Sequence, residues 1–277
     1  MRENLLKRSE ESSDGQEIMP VLFLGHGSPM NAIEENQFTE GWKAISRTIP
    51  IPDAVLCISA HWETKGTFVT AMRKPKTIHD FGGFPRKLYD VQYPAPGSPE
   101  LANEIKKIVI NTSIGLDEAW GLDHGCWSVM KHLFPSADIT VIQLSLDYSK
   151  SPGDHYNLAK ELKSLRKKEV LIIGSGNMVH NLGMVAWDKM DEPEYGYDWA
   201  IEAGEKMKKY ILSDDHNKLI DYKSQGREFI LAVPTPEHFL PLLYVLALKE
   251  ENEKVTIFND KPVMGSLTMT SIKISKS

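Results

Sequence analysis

Short apolar runs that alternate with amphipathic segments constrain the fold of this chain more than any other feature. Val, Ile and Leu dominate each run, and most of the runs lead into Gly, Ser or Pro. Near-continuous apolar runs are typical of strands that are covered on both faces. The predicted strands lie in residues 20–29, 53–62, 137–146, 168–177 and 227–238, and two more are predicted within 254–274 around an Asn-Asp turn.

Segments with apolar residues at helical spacing fall between these strands. They cover residues 98–110, 125–134, 153–168, 198–212 and 236–249. At the start of the last helix, Thr235 is the expected N-cap and Pro236 the first helical residue. Because strands and helices alternate, we predict an α/β fold with a central sheet between two layers of helices.

Bulk composition narrows the function classes. The chain has 277 residues, 41% of them hydrophobic and 25% charged, which is ordinary for a globular protein. A net charge of -6 argues against nucleic acid or an anionic membrane as the main partner. No apolar run is long enough to span a bilayer, and two cysteines are too few for a disulfide framework. We therefore expect a cytoplasmic protein.

The first residues differ in character from the rest. Residues 1–18 are polar, rich in Ser and Glu, and lack the apolar stretch of a secretory signal. We expect them to form a flexible N-terminal extension. Since no linker interrupts the remainder, residues 19–277 are predicted to form one domain.

Histidines occupy the ends of several predicted strands. His26, His61, His180 and His238 each follow an apolar run, and His124 lies in the loop GLDHGCW. Strand ends along one edge of an α/β sheet face a shared crevice, which is where open α/β folds bind ligands. These five imidazoles are therefore expected to converge on one divalent metal ion.

The chemistry of imidazole supports a catalytic metal site. Neutral imidazole binds Zn, Fe, Cu and Ni, and three protein ligands with an open position are typical of catalytic sites. The remaining histidines can move protons near neutral pH. The residues alone do not select the three ligands. His132, His155 and His216 are interpreted as surface residues or ordinary hydrogen-bonding groups, and His79 stays undecided.

Several motifs, taken in order, resemble one enzyme family. They are GHGSPMNA, SAHW, HDFGGFP with LYDVQYPAPGSPELA, GLDHGCW, GSGNMVHNL and PTPEHFLPLLY. Together they are similar to the DODA-type, LigB-like family of class III extradiol ring-cleavage dioxygenases, from about Pro20 to the C-terminus. The resemblance implies a single α/β domain with a mixed central sheet flanked by helices. It also implies cleavage of a catechol ring beside its two hydroxyls, with O2 and a non-haem Fe(II).

The resemblance also implies roles for individual histidines. His26, His61 and His238 match the metal ligands. His180 lies beside the metal, either as a fourth ligand or as the catalytic acid/base. His124 matches a second catalytic histidine that faces the substrate. The implied partners are a small-molecule catechol and O2, with neither nucleic acid nor membrane.

The identity of the metal and two other functions stay open at this stage. Fe(II) is expected for ring cleavage, but three histidines without a carboxylate, and the general affinity order, favour Zn(II) in purified protein. One alternative function is a zinc-dependent hydrolase. Another is a non-catalytic, MEMO-like metal-binding protein on the same scaffold.

Overall fold

A computed structural model describes residues 18–190, 192 and 194–276. The predicted N-terminal extension, apart from Ile18, lies outside these residues. The strands, numbered in chain order, are β1 Val21–Gly25, β2 Ala54–Thr64, β3 Thr67–Thr70, β4 Ile114–Asp117, β5 Thr140–Asp147, β6 Val170–Gly176, β7 Lys254–Phe258, β8 Pro262–Val263, β9 Leu267–Thr268 and β10 Ser271–Ser275.

Helices occupy most of the connections between strands. The α-helices are α1 Gln37–Ser46, α2 Arg86–Tyr89, α3 Pro99–Ile108, α4 His124–Leu133, α5 Pro152–Glu161, α6 Asp198–Leu212, α7 His216–Ile220, α8 Arg227–Ala232 and α9 Leu240–Ala247. Shorter 3₁₀ turns span Pro29–Ala32, Leu162–Lys168, Leu182–Met184, Trp187–Lys189 and Tyr222–Ser224. The predicted helix over 153–168 is thus an α-helix that tightens into a 3₁₀ helix.

The central sheet is mixed, which confirms the predicted fold class. Its eight strands lie in the order β4-β3-β5-β2-β6-β1-β10-β7. The middle of the sheet is parallel, because β5, β2, β6 and β1 pair in the same direction. At one side of the sheet, β10 pairs antiparallel with β1, and β7 pairs antiparallel with β10. Parallel strands in the centre bring their carboxyl ends to one rim of the sheet.

Two apolar layers cover the sheet, as the near-continuous strand runs predict. Alternate residues of β1 divide between them: Val21 and Phe23 belong to one core cluster, Leu22 and Leu24 to the other. The first cluster includes side chains of α3, α5, α6 and α9. The second includes Trp42 of α1 and residues of α4. Each central strand is therefore buried on both sides.

The predicted strand over residues 227–238 is wrong. Residues Arg227–Ala232 form helix α8, with Phe229 and Ala232 buried and Ile230 47% exposed. Burial at a spacing of three residues is helical, but a short apolar run does not reveal its own period. Phe229 stacks on Tyr210 of α6, so this segment packs on a helix instead of joining the sheet.

The predicted helix start at Thr235 and Pro236 is also wrong. The Leu240 amide donates to the Pro236 carbonyl over 2.8 Å, but α9 begins only at Leu240. Pro241 has no N–H to donate to the Glu237 carbonyl, which interrupts the hydrogen-bond ladder at this point. Thr235 Oγ1 donates to the Glu237 carboxylate over 2.9 Å and does not cap the helix. The non-helical turn that results carries His238.

The C-terminal segment contains both predicted strands, with a longer connection than expected. β7 and β10 pair antiparallel, with Phe258 opposite Ser271. Between them the chain does not make a simple Asn-Asp turn, because residues 262–268 form the small β8–β9 ladder. This ladder lies beside the predicted site, since Leu267 bridges to His180.

Candidate metal centre

Three histidines lie at the carboxyl rim of the parallel strands. His26 directly follows β1, His61 lies near the end of β2, and His180 follows β6. The strand register aligns these ends, because Gly25 pairs with Gly176 and Ser59 pairs with Ser175. Adjacent parallel strands therefore deliver the three imidazoles to one place.

Two more histidines reach the same place from helices. His124 is the first residue of α4, whose N-cap Asp123 accepts a hydrogen bond from the Cys126 amide over 3.1 Å. His238 lies in the turn before α9, and its carbonyl accepts from the Asn177 amide over 2.9 Å. A backbone hydrogen bond thereby fixes the His238 turn to the rim, while the Asp123 cap fixes the first turn of α4.

The five imidazole rings form one contiguous cluster. The rings of His61 and His124 are 3.8 Å apart between centroids, and those of His180 and His238 stack at 3.5 Å. His238 lies 5.0 Å from His61 and 5.4 Å from His26. Potential ligand atoms within 4.8 Å of one another form two groups. One is His26, His61 and His124; the other is His180, Glu237 and His238.

Glycines allow this close approach. A Cβ on Gly176 would lie 2.1 Å from the His238 carbonyl oxygen, which is an impossible contact. A Cβ on Gly125 would lie 2.4 Å from Ser59 Oγ and 2.8 Å from the His61 ring. Gly176 and Gly125 are therefore required for close packing at the rim.

The hydrogen-bond network assigns the tautomer of His26. Ser175 Oγ donates its single proton to the Gly125 carbonyl over 2.5 Å. It must therefore accept from His26, whose Nδ1 lies 3.0 Å away. His26 thus carries its proton on Nδ1 and a lone pair on Nε2.

Carboxylates lie behind Nδ1 of both His238 and His61. His238 Nδ1 lies 3.1 Å from a carboxylate oxygen of Glu237, which can only accept. His61 Nδ1 lies 3.4 Å from Oδ2 of Asp80, which favours a proton on that nitrogen. Both imidazoles therefore offer Nε2 as a lone-pair donor. An acceptor behind the outer nitrogen is the usual arrangement of metal-binding histidines.

Burial keeps these rings neutral. It lowers the pKa of His26 and of His61 well below the usual value, and the neighbouring histidines lower both further. Burial also lowers the pKa of His238, and it lowers the pKa of His180 to about 3. For Glu237, burial acts to raise the pKa, but the hydrogen bond from His238 contributes to lowering it to about 2. Neutral imidazoles are the form that binds metal.

One contact tests whether these residues fit a metal ion. His26 Nε2 and His61 Nε2 face each other at 3.1 Å, and the tautomers place a lone pair on each. Two such nitrogens repel unless a cation lies between them, and burial disfavours a proton. Two imidazole nitrogens bound to one ion at about 2.0–2.1 Å lie roughly 3 Å apart. The donor set therefore fits a divalent metal.

Comparison with known proteins decides the family. The family described as "Catalytic LigB subunit of aromatic ring-opening dioxygenase" matches residues 20–270. This chain belongs to the LigB family. It is thus an extradiol-type aromatic ring-opening dioxygenase, which confirms the resemblance drawn from its motifs.

Named relatives of this LigB chain agree. It is 45% identical to the 4,5-DOPA dioxygenase extradiol of Escherichia coli (strain K12), over 92% of this chain and 94% of that protein. It is 34% identical to the protein of the same name from Beta vulgaris, over 94% and 98% of the two chains. A crystal structure of an uncharacterized Escherichia coli K12 protein superposes with a TM-score of 0.80 at 40% identity, and covers 92% of this chain and 99% of that one.

The structure brings together all five histidines that the sequence singled out, while their individual roles stay predictions. The other histidines lie elsewhere. His132 contacts the Asn31 carbonyl at 2.7 Å, His155 contacts the Tyr244 hydroxyl at 2.9 Å, and His216 contacts that of Tyr156 at 2.8 Å. No helix among the described residues of this LigB protein is long and apolar enough to cross a membrane.

His79 and the following residues border the cluster without joining it. His79 Nε2 lies 3.0 Å from the Val91 carbonyl, and its ring packs near Trp127. Phe81 meets the edge of the His124 ring at 5.5 Å between centroids. Asp80, which sequence reasoning missed, lies between these two residues and contacts His124. Its only signal in the sequence is its place in the motif HDFGGFP.

Proposed function

We propose that this LigB enzyme opens the ring of a catechol such as DOPA, using O2 and one divalent metal ion at the histidine cluster. The observation that carries the proposal is the facing pair of lone-pair nitrogens on His26 and His61, 3.1 Å apart. The names of the Escherichia coli and Beta vulgaris relatives support a DOPA-like substrate. Residues 19–277 would act as a single domain.

The ligand set that we propose is His26, His61 and His238. Each has an acceptor behind Nδ1, which directs Nε2 toward the ion. His124 is the other candidate for the third position, since its ligand atom lies within 4.8 Å of those of His26 and His61. His238 is preferred because its motif, PTPEHFLPLLY, matches the third metal ligand implied by the family resemblance. A carboxylate orients each of the two rings, so the motif and not the geometry makes the choice.

Fe(II) is the proposed working metal, and Zn(II) the metal expected in purified protein. Glu237 is directed at His238 Nδ1, so three neutral imidazoles without a carboxylate would hold the ion. Zn(II) outranks Fe(II) in general affinity for nitrogen ligands. When bound, the ion supplies Lewis acidity and a route for electrons from the catecholate to O2.

His180 is the proposed acid/base. Burial lowers the pKa of this imidazole to about 3, so the ring is neutral but a weak proton acceptor until a charged substrate lies beside it. A catecholate oxygen beside it would offset the burial penalty, because an adjacent negative charge stabilises the imidazolium. His180 can then return this proton later in the reaction. Groups of this kind typically contribute about 10²–10⁴-fold in rate.

Aromatic side chains supply the remaining wall of the proposed substrate site. Phe81 contacts His124 edge-on and packs at 5.2 Å from Tyr89 and 5.4 Å from Phe84. A planar ring held against such residues loses water from its faces and gains aromatic contacts. His124 would meet the substrate beside the metal position, since its ring lies 3.8 Å from that of His61.

Oxygen uptake by reconstituted enzyme tests the proposal. Metal-free protein is loaded anaerobically with Fe(II), and L-DOPA and then O2 are added. A yellow semialdehyde absorbance and one O2 consumed per DOPA are expected, whereas a zinc hydrolase would need no O2. His26→Gln should abolish both signals, and His216→Gln is the matched control because that histidine lies outside the cluster. Absence of colour and O2 uptake across a panel of catechols would refute the function.

A further inference from the structure

Both carboxylate oxygens of Asp80 contact the histidine cluster. Oδ1 accepts from the backbone N–H of His124 over 2.9 Å, and Oδ2 lies 2.9 Å from His124 Nδ1. The same Oδ2 is 3.4 Å from Nδ1 of His61. Since a carboxylate only accepts, His124 carries a proton on Nδ1, which makes Nε2 the lone-pair nitrogen of the neutral ring.

We propose that Asp80 is a positioning residue that fixes one tautomer of His124 and of His61 at the same time. It thereby directs the Nε2 lone pair of His61 at the metal position and makes Nε2 of His124 a proton acceptor toward the substrate. The assignment of these tautomers stands on the geometry alone. Its consequence for turnover rests on the proposed ring-opening function.

Helix capping accounts for the Oδ1 contact with the His124 N–H, but not for the contact of Oδ2 with the imidazole. Asp123 already occupies the N-cap of α4 and accepts from the Cys126 amide. Asp80 makes an additional, two-point contact with the first residue of the helix, and its side chain is only 17% exposed. The next residue, Phe81, packs edge-on against the same His124 ring. The HDFGGFP segment is thus docked onto this imidazole through two consecutive side chains.

Asp80→Asn changes the tautomer and preserves the shape. An amide has one accepting oxygen, but His124 presents two donors, the backbone N–H and Nδ1–H. The backbone N–H cannot tautomerise, so the amide oxygen stays on it and the NH2 group faces Nδ1. His124 relieves the resulting clash by moving its proton to Nε2. The lone pair toward the substrate is then lost.

Nuclear magnetic resonance of ¹⁵N-labelled imidazoles in the metal-free protein tests this directly. The wild-type protein should show His124 protonated on Nδ1, and Asp80→Asn should show it protonated on Nε2. With saturating Fe(II), the kcat of Asp80→Asn should fall by about 10²–10⁴-fold while KM for L-DOPA stays close to wild type. Asp90→Asn is the matched control, since that exposed aspartate pairs only with Arg86 among the described residues.

Three results would overturn the proposal: His124 protonated on Nε2 in the wild type, an unchanged tautomer in Asp80→Asn, or a wild-type kcat in that variant. If Asp80→Asn does not fold, the wild-type spectrum alone decides the tautomer. If the wild-type enzyme opens no catechol ring, the proposed function fails, but the spectra still test Asp80. The two failures are therefore distinguishable.

Discussion

His26 and His61 face each other through their Nε2 atoms, 3.1 Å apart, at the carboxyl rim of two parallel strands. Ser175 fixes the proton of His26 on Nδ1, and Asp80 favours the same tautomer in His61. Each partner thus contributes a lone pair to a shared point. This pair makes a group of buried histidines into a site for a cation.

Ser175→Ala should weaken metal binding although Ser175 is not a ligand. The variant leaves His26 Nδ1–H without its acceptor, so the ring is free to turn or to change tautomer. Loss of such a partner typically costs about 10–100-fold in metal affinity. Competition with a zinc chelator measures the change. Ser145→Ala removes an equally buried serine whose bonds lie at Thr64 and Phe68, and should keep wild-type affinity.

His180→Ala should lose turnover and retain metal. The proposed base is removed, while His26, His61 and His238 remain to hold the ion. We expect kcat to fall by about 10²–10⁴-fold with about one metal ion still bound per chain. Metal analysis and O2 uptake on the same sample check both parts. Complete loss of the metal would instead identify His180 as a ligand.

The stability of the metal-free protein should fall as the pH drops from 7 to 5. Folding lowers the pKa of seven histidines: His26, His61, His132, His155, His180, His216 and His238. Below about pH 6.5 these histidines bind protons in the unfolded chain but not in the folded one. The free energy of unfolding therefore decreases as the pH falls. Each such histidine contributes at most about 1.4 kcal/mol per pH unit.

Urea denaturation at several pH values, after removal of metal, measures this slope. His180→Asn should reduce the slope of the free energy of unfolding against pH, because the pKa of His180 is about 3 in the folded protein and near 6.5 in the unfolded chain. Carboxylates with lowered pKa values, such as Glu237, act in the same direction only below about pH 4.5. A free energy of unfolding that is constant between pH 7 and pH 5 would contradict the assigned burial of the cluster.

Much of the fold can be predicted from local pattern. The apolar runs contain β1 and β6 and all but the last one or two residues of β5 and β2, and the helix over Asp198–Leu212 has the predicted bounds. The four-residue strands β3 and β4 are too short to give a periodic signal. The strand prediction for Arg227–Ala232 was wrong because packing on α6 decides the structure of this segment, and no local pattern shows that packing.

The candidate site was predictable for a different reason. Strand ends converge on one rim whatever their separation in sequence, so His26, His61 and His180 were expected together. The residues behind them were not, because Asp80 meets His124 across 44 positions and Ser175 meets His26 across 149. Neither contact follows from a spacing rule. Orientation of the imidazoles is therefore the part of the site that only the three-dimensional structure supplies.

Anomalous diffraction from crystals of the protein loaded with a single divalent metal tests the central claim most directly. We expect one ion per chain, with Nε2 of His26, His61 and His238 at about 2.0–2.3 Å and Nδ1 of each still facing its acceptor. An ion bound elsewhere, or bound through Nδ1 of any of these three histidines, would contradict the account.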